Sequence, residues 1–440
     1  MEIINKNIIF TNLTHIFCCL PAIKKNNLDI AQNIKNTQKS SSDIAQTILK
    51  QTGITERRYA HANEAASDLA IKAIANSSLD SSKIETLIVA TTSGDYPSPA
   101  TAHFVHAGLN LNSHVHCFDV ASSCSSFISA MRCAIGIVNT STSTLIIASE
   151  VKHKGLNITD MRTTSLFGDG AGGIFLNKID ESKNSKDFFE FCHQESLSNI
   201  SKNIYIPVGG SKEPINQDNL HRNKLEFQNP KITYLQIIKS ITEAILCSWQ
   251  KREQLLKECF NETNSIIPGF IFIHQANKNI LKEVINKLPE EIAKRIPILM
   301  ADTGNMVCAS LPVLRARILF LKSLHYHFKK NIPKNNLISE FKLACEKENI
   351  FSYTKKENGV LFSTQFEYEK IDIFDDGSVS LNDSWLSKIF EEEWDNLQNI
   401  FENELNSSNN YEIKKLKRID LWVTAGGGFQ TIAMLHGKVI

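Results

Sequence analysis

Short apolar runs alternate with segments of helical spacing along residues 1 to about 180, and this alternation constrains the fold more than any other feature of the chain. Ala65–Ala75 has helical spacing and leads into a short apolar strand from Ile84 to Thr91; Thr144–Ser149 is another buried strand. Ile8 to Ile23 is apolar in patches and reads as a strand, because Asn12, Thr14 and His15 interrupt any continuous leader-like hydrophobic stretch. Gly168–Leu176 is a turn running into a strand, with glycines that allow close backbone approach. Strands and helices in such alternation bury sheet faces under helices, so the expected architecture is layered α/β.

Three polar residues stand at the ends of such elements. Cys124 follows the apolar run His116–Val120 and precedes a helical pattern through Phe127, Ile128, Met131, Ala134, Ile135 and Val138. A cysteine at a strand-to-helix junction meets the positive end of the helix dipole, which favours the thiolate, the attacking form. His274 follows the apolar run Gly269–Ile273 and opens His274–Asn277, while Asn305 sits in Gly304–Pro312 ahead of another helix. Two strand ends and a loop can bring these groups to one point. Each taken singly reads more simply, as an inert thiol, a satisfied core histidine and a turn asparagine.

At 440 residues the chain can bury a large core, with room for about two or three domains. A net charge of +1 gives no global reason to expect nucleic acid or an anionic membrane as partner. No stretch of about 18 apolar residues is present, so no membrane span is expected. The ten cysteines show no metal-ligand spacing and no disulfide framework, so no metal is expected and the compartment reads as a reducing cytoplasm; no cofactor is expected either. Cys18, Cys19, Cys133, Cys247, Cys259, Cys308 and Cys345 read as small buried hydrophobes.

Residues 180 to 230 are polar with little periodicity and are expected to cover one side of a site. A long helix is expected from Ile232 to Phe260, a helical segment from Asn279 to Lys287 and a helix from the Asn305 loop through Leu321. Residues 322 to about 416 change character: Asp372, Asp375, Asp376, Asp383, Glu391, Glu392 and Glu393 open an acidic stretch with little basic content. The segment reads as an inserted subdomain, partly helical over Trp385–Leu405, whose acidic run is a solvated face or an interaction surface. The chain closes with strand, glycine turn and strand over Ile419–Leu435.

In order, Thr52–Arg58, Asp119–Phe127, Arg162–Gly172, His274–Asn277, Gly304-Asn305 with Ser310–Pro312, and Gly426–Phe429 resemble the motifs of 3-oxoacyl-acyl-carrier-protein synthase III and its relatives in the thiolase superfamily. The resemblance covers about residues 1–320 and 417–440. It implies a thiolase-like α/β fold, two pseudo-symmetric halves in a five-layer sandwich, usually a homodimer. One half would span residues 1–180 and carry the nucleophile. The other would span 181–440 and carry the histidine and asparagine, interrupted by the insertion at about 322–416.

The resemblance also implies roles. Cys124 would take an acyl group from a thioester carried by acyl carrier protein or coenzyme A. His274 and Asn305 would hold the thioester carbonyl of a malonyl-acyl carrier protein and stabilise the enolate left by loss of CO₂. Backbone N–H groups of Cys124 and Gly427 would form the oxyanion hole, Phe127 and Phe167 would wall the pocket, and Arg162 would contact substrate. Loss of CO₂ generates the carbanion without a strong base, and the segment Thr92–Tyr96 lacks the glutamate of relatives that condense without decarboxylation.

The sequence departs from the family where acyl-coenzyme A primes the enzyme: the adenine-holding tryptophan and arginine positions are Thr47 and Gln51. That points to a carrier-protein-bound donor. The arginine that often docks the carrier protein is Asn279, leaving Lys278 and Lys282 to serve. A phenylalanine that closes short-chain pockets across the dimer is Ser98, which suggests a longer or bulkier acyl starter. Two alternatives stay open: transfer of the Cys-bound acyl group to an alcohol or amine, and a non-catalytic partner subunit.

Overall fold

The structure is a computed structural model that describes residues 9–34, 38–75, 77, 79–138, 142–177, 186–260, 267–329, 351–356, 359–364, 370–374, 379–381, 416–426 and 430–439. Nine strands form the main sheet: β1 (Ile9–Cys19), β2 (Thr86–Ala90), β3 (His116–Val120), β4 (Thr144–Glu150), β5 (Gly170–Asn177), β6 (Lys186–Ser196), β7 (Ile267–Ile273), β8 (Leu416–Gly426) and β9 (Gln430–Val439). Their order is β7-β8-β9-β6-β1-β5-β4-β2-β3.

That order contains one pattern twice. From β1 outward, β5 and β4 each pair antiparallel to the strand before, and β2 then pairs parallel to β4. From β6 outward, β9 and β8 pair antiparallel in turn, and β7 pairs parallel to β8. The two repeats meet where β1 and β6 pair antiparallel.

The helices that matter for the site are α1 (Ser41–Thr52), α2 (Ala66–Ala75), α3 (Thr101–Gly108), α4 (Ser126–Val138), α5 (Pro230–Phe260), α6 (Lys278–Asn286) and α7 (Ser310–Lys329). Their buried faces sort into layers. One apolar cluster joins α4 and α7 to residues of both halves of the sheet, including Ile146, Ile174, Phe272 and Trp422. A second packs α2 and α3 on the opposite face of the first half, and a third packs α5 and α6 on the opposite face of the second. Helix, sheet, helix, sheet, helix is the five-layer arrangement. Strands β2, β4 and β5 are buried on both faces, which is why they read as continuous apolar runs rather than alternating ones.

Two sequence expectations need correction. Residues 186–196, expected to be part of an irregular cover, form β6 in the middle of the sheet. Its apolar run is broken by Asp187 and Glu190, both buried. Asp187 accepts from the Leu13 backbone N–H at 2.9 Å and pairs with His436 at 3.0 Å; Glu190 pairs with Lys251 at 3.6 Å. Buried acids are tolerated when so partnered, and the partners are distant in sequence. Cys133 and Cys247, read as buried, are exposed, whereas Cys18, Cys19 and Cys308 are buried.

Within the insertion, strands Phe351–Lys356, Gly359–Thr364, Lys370–Phe374 and Val379–Leu381 form a separate four-stranded antiparallel sheet in sequential order. The helix expected over Trp385–Leu405 lies outside the described residues. Among the described residues no helix is long and apolar enough to cross a membrane.

Candidate active site

The residues ahead of α4 form a tight turn. Ser123 takes φ = +54°, the Ser122 backbone N–H donates to Ser126 Oγ at 2.7 Å, and Ser125 N–H donates to Ser122 O at 3.0 Å. Cys124 is thereby presented just before the first turn of α4, where the helix dipole favours a thiolate. The same device precedes α7. Val307 takes φ = +50° and the Met306 N–H donates to Ser310 Oγ at 3.1 Å. A β-branched residue at positive φ is strained, and such strain concentrates at functional sites.

The duplication puts Cys308 at the position ahead of α7 that Cys124 holds ahead of α4, yet the two thiols differ. Cys308 is fully buried and donates to Glu150 Oε1 at 3.0 Å; burial and then the Glu150 charge push its pKa well above the usual value. Cys124 is half-buried and lines an open cavity of about 460 Å³. Tertiary surroundings, not the local turn, separate the reactive candidate from the inert one.

His274 and Asn305 line that same cavity. His274 directly follows the buried β7, and its backbone N–H donates to Val423 O at 3.0 Å. Neither ring nitrogen has a partner among the described residues, and burial lowers the imidazole pKa to about 4. The ring is therefore neutral at physiological pH and can donate one N–H to an oxygen entering the cavity. Asn305 Oδ1 accepts the Val307 N–H at 2.8 Å, which turns its amide nitrogen into a donor for a ligand. An uncharged imidazole and a carboxamide thus line one cavity with N–H groups able to donate to an oxygen.

The motif residues around them are scaffolding. Gln275 Oε1 accepts Leu299 N–H at 2.9 Å and its Nε2 donates to Ile273 O at 2.9 Å, tying the strand end to the segment that leads to Asn305. Arg317 Nη2 donates to both carboxylate oxygens of buried Asp302, at 2.9 and 3.1 Å. Asn277 caps α6, accepting Asn279 N–H at 2.8 Å. Arg57 donates to Asn27 Oδ1 at 2.7 Å and Ser165 O at 2.6 Å, and burial pulls its pKa down to about 10. It holds the loop at Ser165–Gly168 against Asn305, whose N–H donates to Leu166 O at 2.9 Å and whose carbonyl accepts Gly168 N–H at 3.1 Å.

A Cβ at Gly168 would lie 2.1 Å from Thr303 O. Gly168→Ala is expected to cost about 2 kcal/mol through overpacking and to displace Asn305. A lowered urea midpoint, with condensation falling more than Cys124 acylation, is the expected result.

Protonation of His274 gives a second expectation. The native ring takes its proton near pH 4 and the unfolded ring near 6.5, so between these values the unfolded chain binds more protons. The corresponding stability, roughly 3 kcal/mol, is present above pH 6.5 and is lost as pH falls toward 4. Urea midpoints measured across that window are expected to fall less steeply in His274→Gln than in the wild type.

The other expected site residues divide. Phe167 lines the cavity. Phe127 does not: it is fully buried in the central layer, stacked on Trp422 at 6.0 Å, so it supports α4 rather than walling the pocket. The Arg162 side chain is more than half exposed, pairs with Asp160 at 3.0 Å and is absent from the cavity lining. Ser98 is exposed and outside the cavity of this chain. Gly427 lies outside the described residues. Lys282 is exposed and Lys278 is half-buried, packed against Gly53. Asn279 is turned inward, donating to Lys50 O at 3.0 Å and Gln51 O at 2.8 Å, so it satisfies the last carbonyls of α1.

Sequence reasoning missed Thr92 and Lys152 as lining residues, whereas Asn203, Ile204, Leu225 and Phe227 line the cavity as expected of a segment covering one side of a site. A signal existed for Glu150 and Lys152: charged residues placed directly after the buried run Thr144–Ser149 stand at a strand end, where sites in α/β folds gather.

The family described as 3-oxoacyl-[acyl-carrier-protein] synthase III matches residues 118–193. A β-ketoacyl-[acyl-carrier-protein] synthase III of Aliarcobacter butzleri is 33% identical over 276 residues, spanning 60% of this chain and 78% of that protein. Among solved structures, a 3-oxoacyl-(acyl-carrier-protein) synthase III superposes with a TM-score of 0.61 at 19% identity, covering 97% of this chain and 99% of the other. The enzyme of the same description from Aquifex aeolicus gives 0.58 at 17% identity, covering 97% and 99%.

Proposed function

The chain belongs to the 3-oxoacyl-[acyl-carrier-protein] synthase III family, and from that premise we propose that it joins two thioesters by a decarboxylative Claisen condensation. The observation that carries this reading is the shared cavity of Cys124, His274 and Asn305. In the first half-reaction the Cys124 sulfur attacks an acyl thioester, forming a new C–S bond and releasing the donor thiol, which takes up a proton. In the second, a malonyl thioester enters with its carbonyl oxygen toward the His274 imidazole and the Asn305 amide. Loss of CO₂ leaves an enolate that these neutral donors stabilise, and its carbon attacks the acyl carbonyl on Cys124. The thiol of Cys124 returns as the β-keto thioester leaves.

The reading divides the chain near residue 180, one half supplying the nucleophile and the other the two donors. It takes the backbone N–H groups of Cys124 and Gly427 as the oxyanion hole. It takes acyl carrier protein as the bearer of the malonyl group, with Lys278 and Lys282 on its docking face and two copies of the chain forming the enzyme. The apolar cavity wall at Leu166, Phe167, Ile204 and Phe227 suits an acyl chain.

The test is incubation with radiolabelled malonyl carrier protein and a panel of acyl thioesters. CO₂ release with a β-keto product is expected. A Cys124-bound acyl group that passes to alcohols or amines, with no CO₂ released, would replace condensation by simple acyl transfer.

A further inference from the structure

Lys152 brings a cation into this cavity. It lies two residues beyond the end of β4, and its backbone N–H is held by Asp169 Oδ1 at 2.7 Å, so the start of the side chain is fixed. The residue is about nine-tenths buried and lines the cavity together with Thr92 and Cys124. Its ammonium donates to Thr92 Oγ1 at 3.4 Å and has no other side-chain hydrogen bond or ion pair among the described residues.

The nearby acid is already engaged. Glu150 accepts from Thr92 N–H at 3.1 Å, from the Thr92 hydroxyl at 3.0 Å, from the Ser93 hydroxyl and from the Cys308 thiol at 3.0 Å. Its oxygens are taken by these donors. An ammonium carries three donors, and a buried one needs acceptors. Here one is used, at the long end of hydrogen-bond range, and the others are available to the cavity.

We propose that the acyl starter accepted on Cys124 carries a hydrogen-bond acceptor along its chain, a carboxylate by preference, and that Lys152 is the specificity residue that receives it. This rests on the condensing-enzyme reading of the site. An alkyl chain would leave the ammonium with Thr92 Oγ1 as its one side-chain acceptor among the described residues, whereas a carboxylate supplies charge-assisted bonds. The distal group takes no part in the chemistry. Cys124 forms its C–S bond at the thioester end, the donor thiol leaves with a proton, and the carboxylate is carried unchanged. Sites built around a polar group discriminate strongly against analogues that lack its partner.

The test uses matched pairs of pantetheine thioesters, an n-alkanoyl chain and the same chain ending in a carboxylate, over short to medium lengths. Acylation of Cys124 is followed by intact-protein mass spectrometry. Wild type is expected to favour the carboxylate member at one or more lengths, and Lys152→Met to shift that preference toward the alkyl member by about 100-fold. Wild type alone gives an independent measurement: the free dicarboxylic acid of the preferred length should protect Cys124 from iodoacetamide more than the matched monoacid does. That arm stands even if Lys152→Met fails to fold.

An alkyl preference at every length, an unchanged ratio in folded Lys152→Met, or equal protection by the two acids overturns the role of Lys152 while leaving condensation intact. Failure of every donor to acylate Cys124, with no CO₂ released, takes down the condensing reading and this inference together.

Discussion

Cys124→Ala is expected to abolish the covalent acyl adduct and to lower condensation by about 10³-fold or more, because Cys124 supplies the one thiol among the described residues that line the cavity. Cys308 cannot substitute. It occupies the equivalent turn, but burial and Glu150 hold it as a thiol. The loss should be selective. His274 and Asn305 remain, so slow release of radiolabelled CO₂ from malonyl carrier protein is expected to persist in Cys124→Ala with no β-keto product. Mass spectrometry of the intact protein and product analysis measure the two halves separately. An acyl adduct of normal yield in the alanine variant would move the nucleophile elsewhere.

His274→Ala and Asn305→Ala are expected to give the complementary pattern. On the proposed reading each removes a donor to the enolate oxygen, a change worth about 10²–10³-fold in rate. Cys124 acylation should proceed, so the acyl-enzyme accumulates and CO₂ release falls. On that reading the two donors serve one oxygen, so the double variant should lose less than the product of the single losses. Because burial keeps the wild-type imidazole neutral down to about pH 4, the CO₂-releasing step should show no titration near 6.5. A wild-type inflection close to 6.5 that disappears in His274→Ala would show the ring to be solvated and the donor geometry to be wrong. Measuring acylation and decarboxylation on the same preparations separates this outcome from general misfolding.

The apolar runs of the first half identified β2, β4 and β5 to within two residues, because those strands lie between helix layers and carry little polarity to disguise them. β6 escaped notice for the opposite reason. Its buried Asp187 and Glu190 make it resemble a surface loop until His436, Lys251 and the Leu13 N–H are brought beside them. Phe127 illustrates the limit at the site. It stands three residues from Cys124, yet helical geometry carries it into the central layer against Trp422 and away from the cavity.

Local order therefore determined a large share of this protein: the layered strand–helix succession, the turns that present Cys124 and Asn305, and the motif residues that tie those turns down. Short-range patterns suffice there because backbone conformation and burial on both sheet faces act over a few residues. Which of two equivalent cysteines faces a cavity, that an imidazole is stripped of water and kept neutral, and that Lys152 reaches the same space as Cys124 were decided by the packing of the layers. Those properties are sums of desolvation and charge over groups as far apart in the chain as Thr92 and Asn305, and no local stretch of sequence contains them.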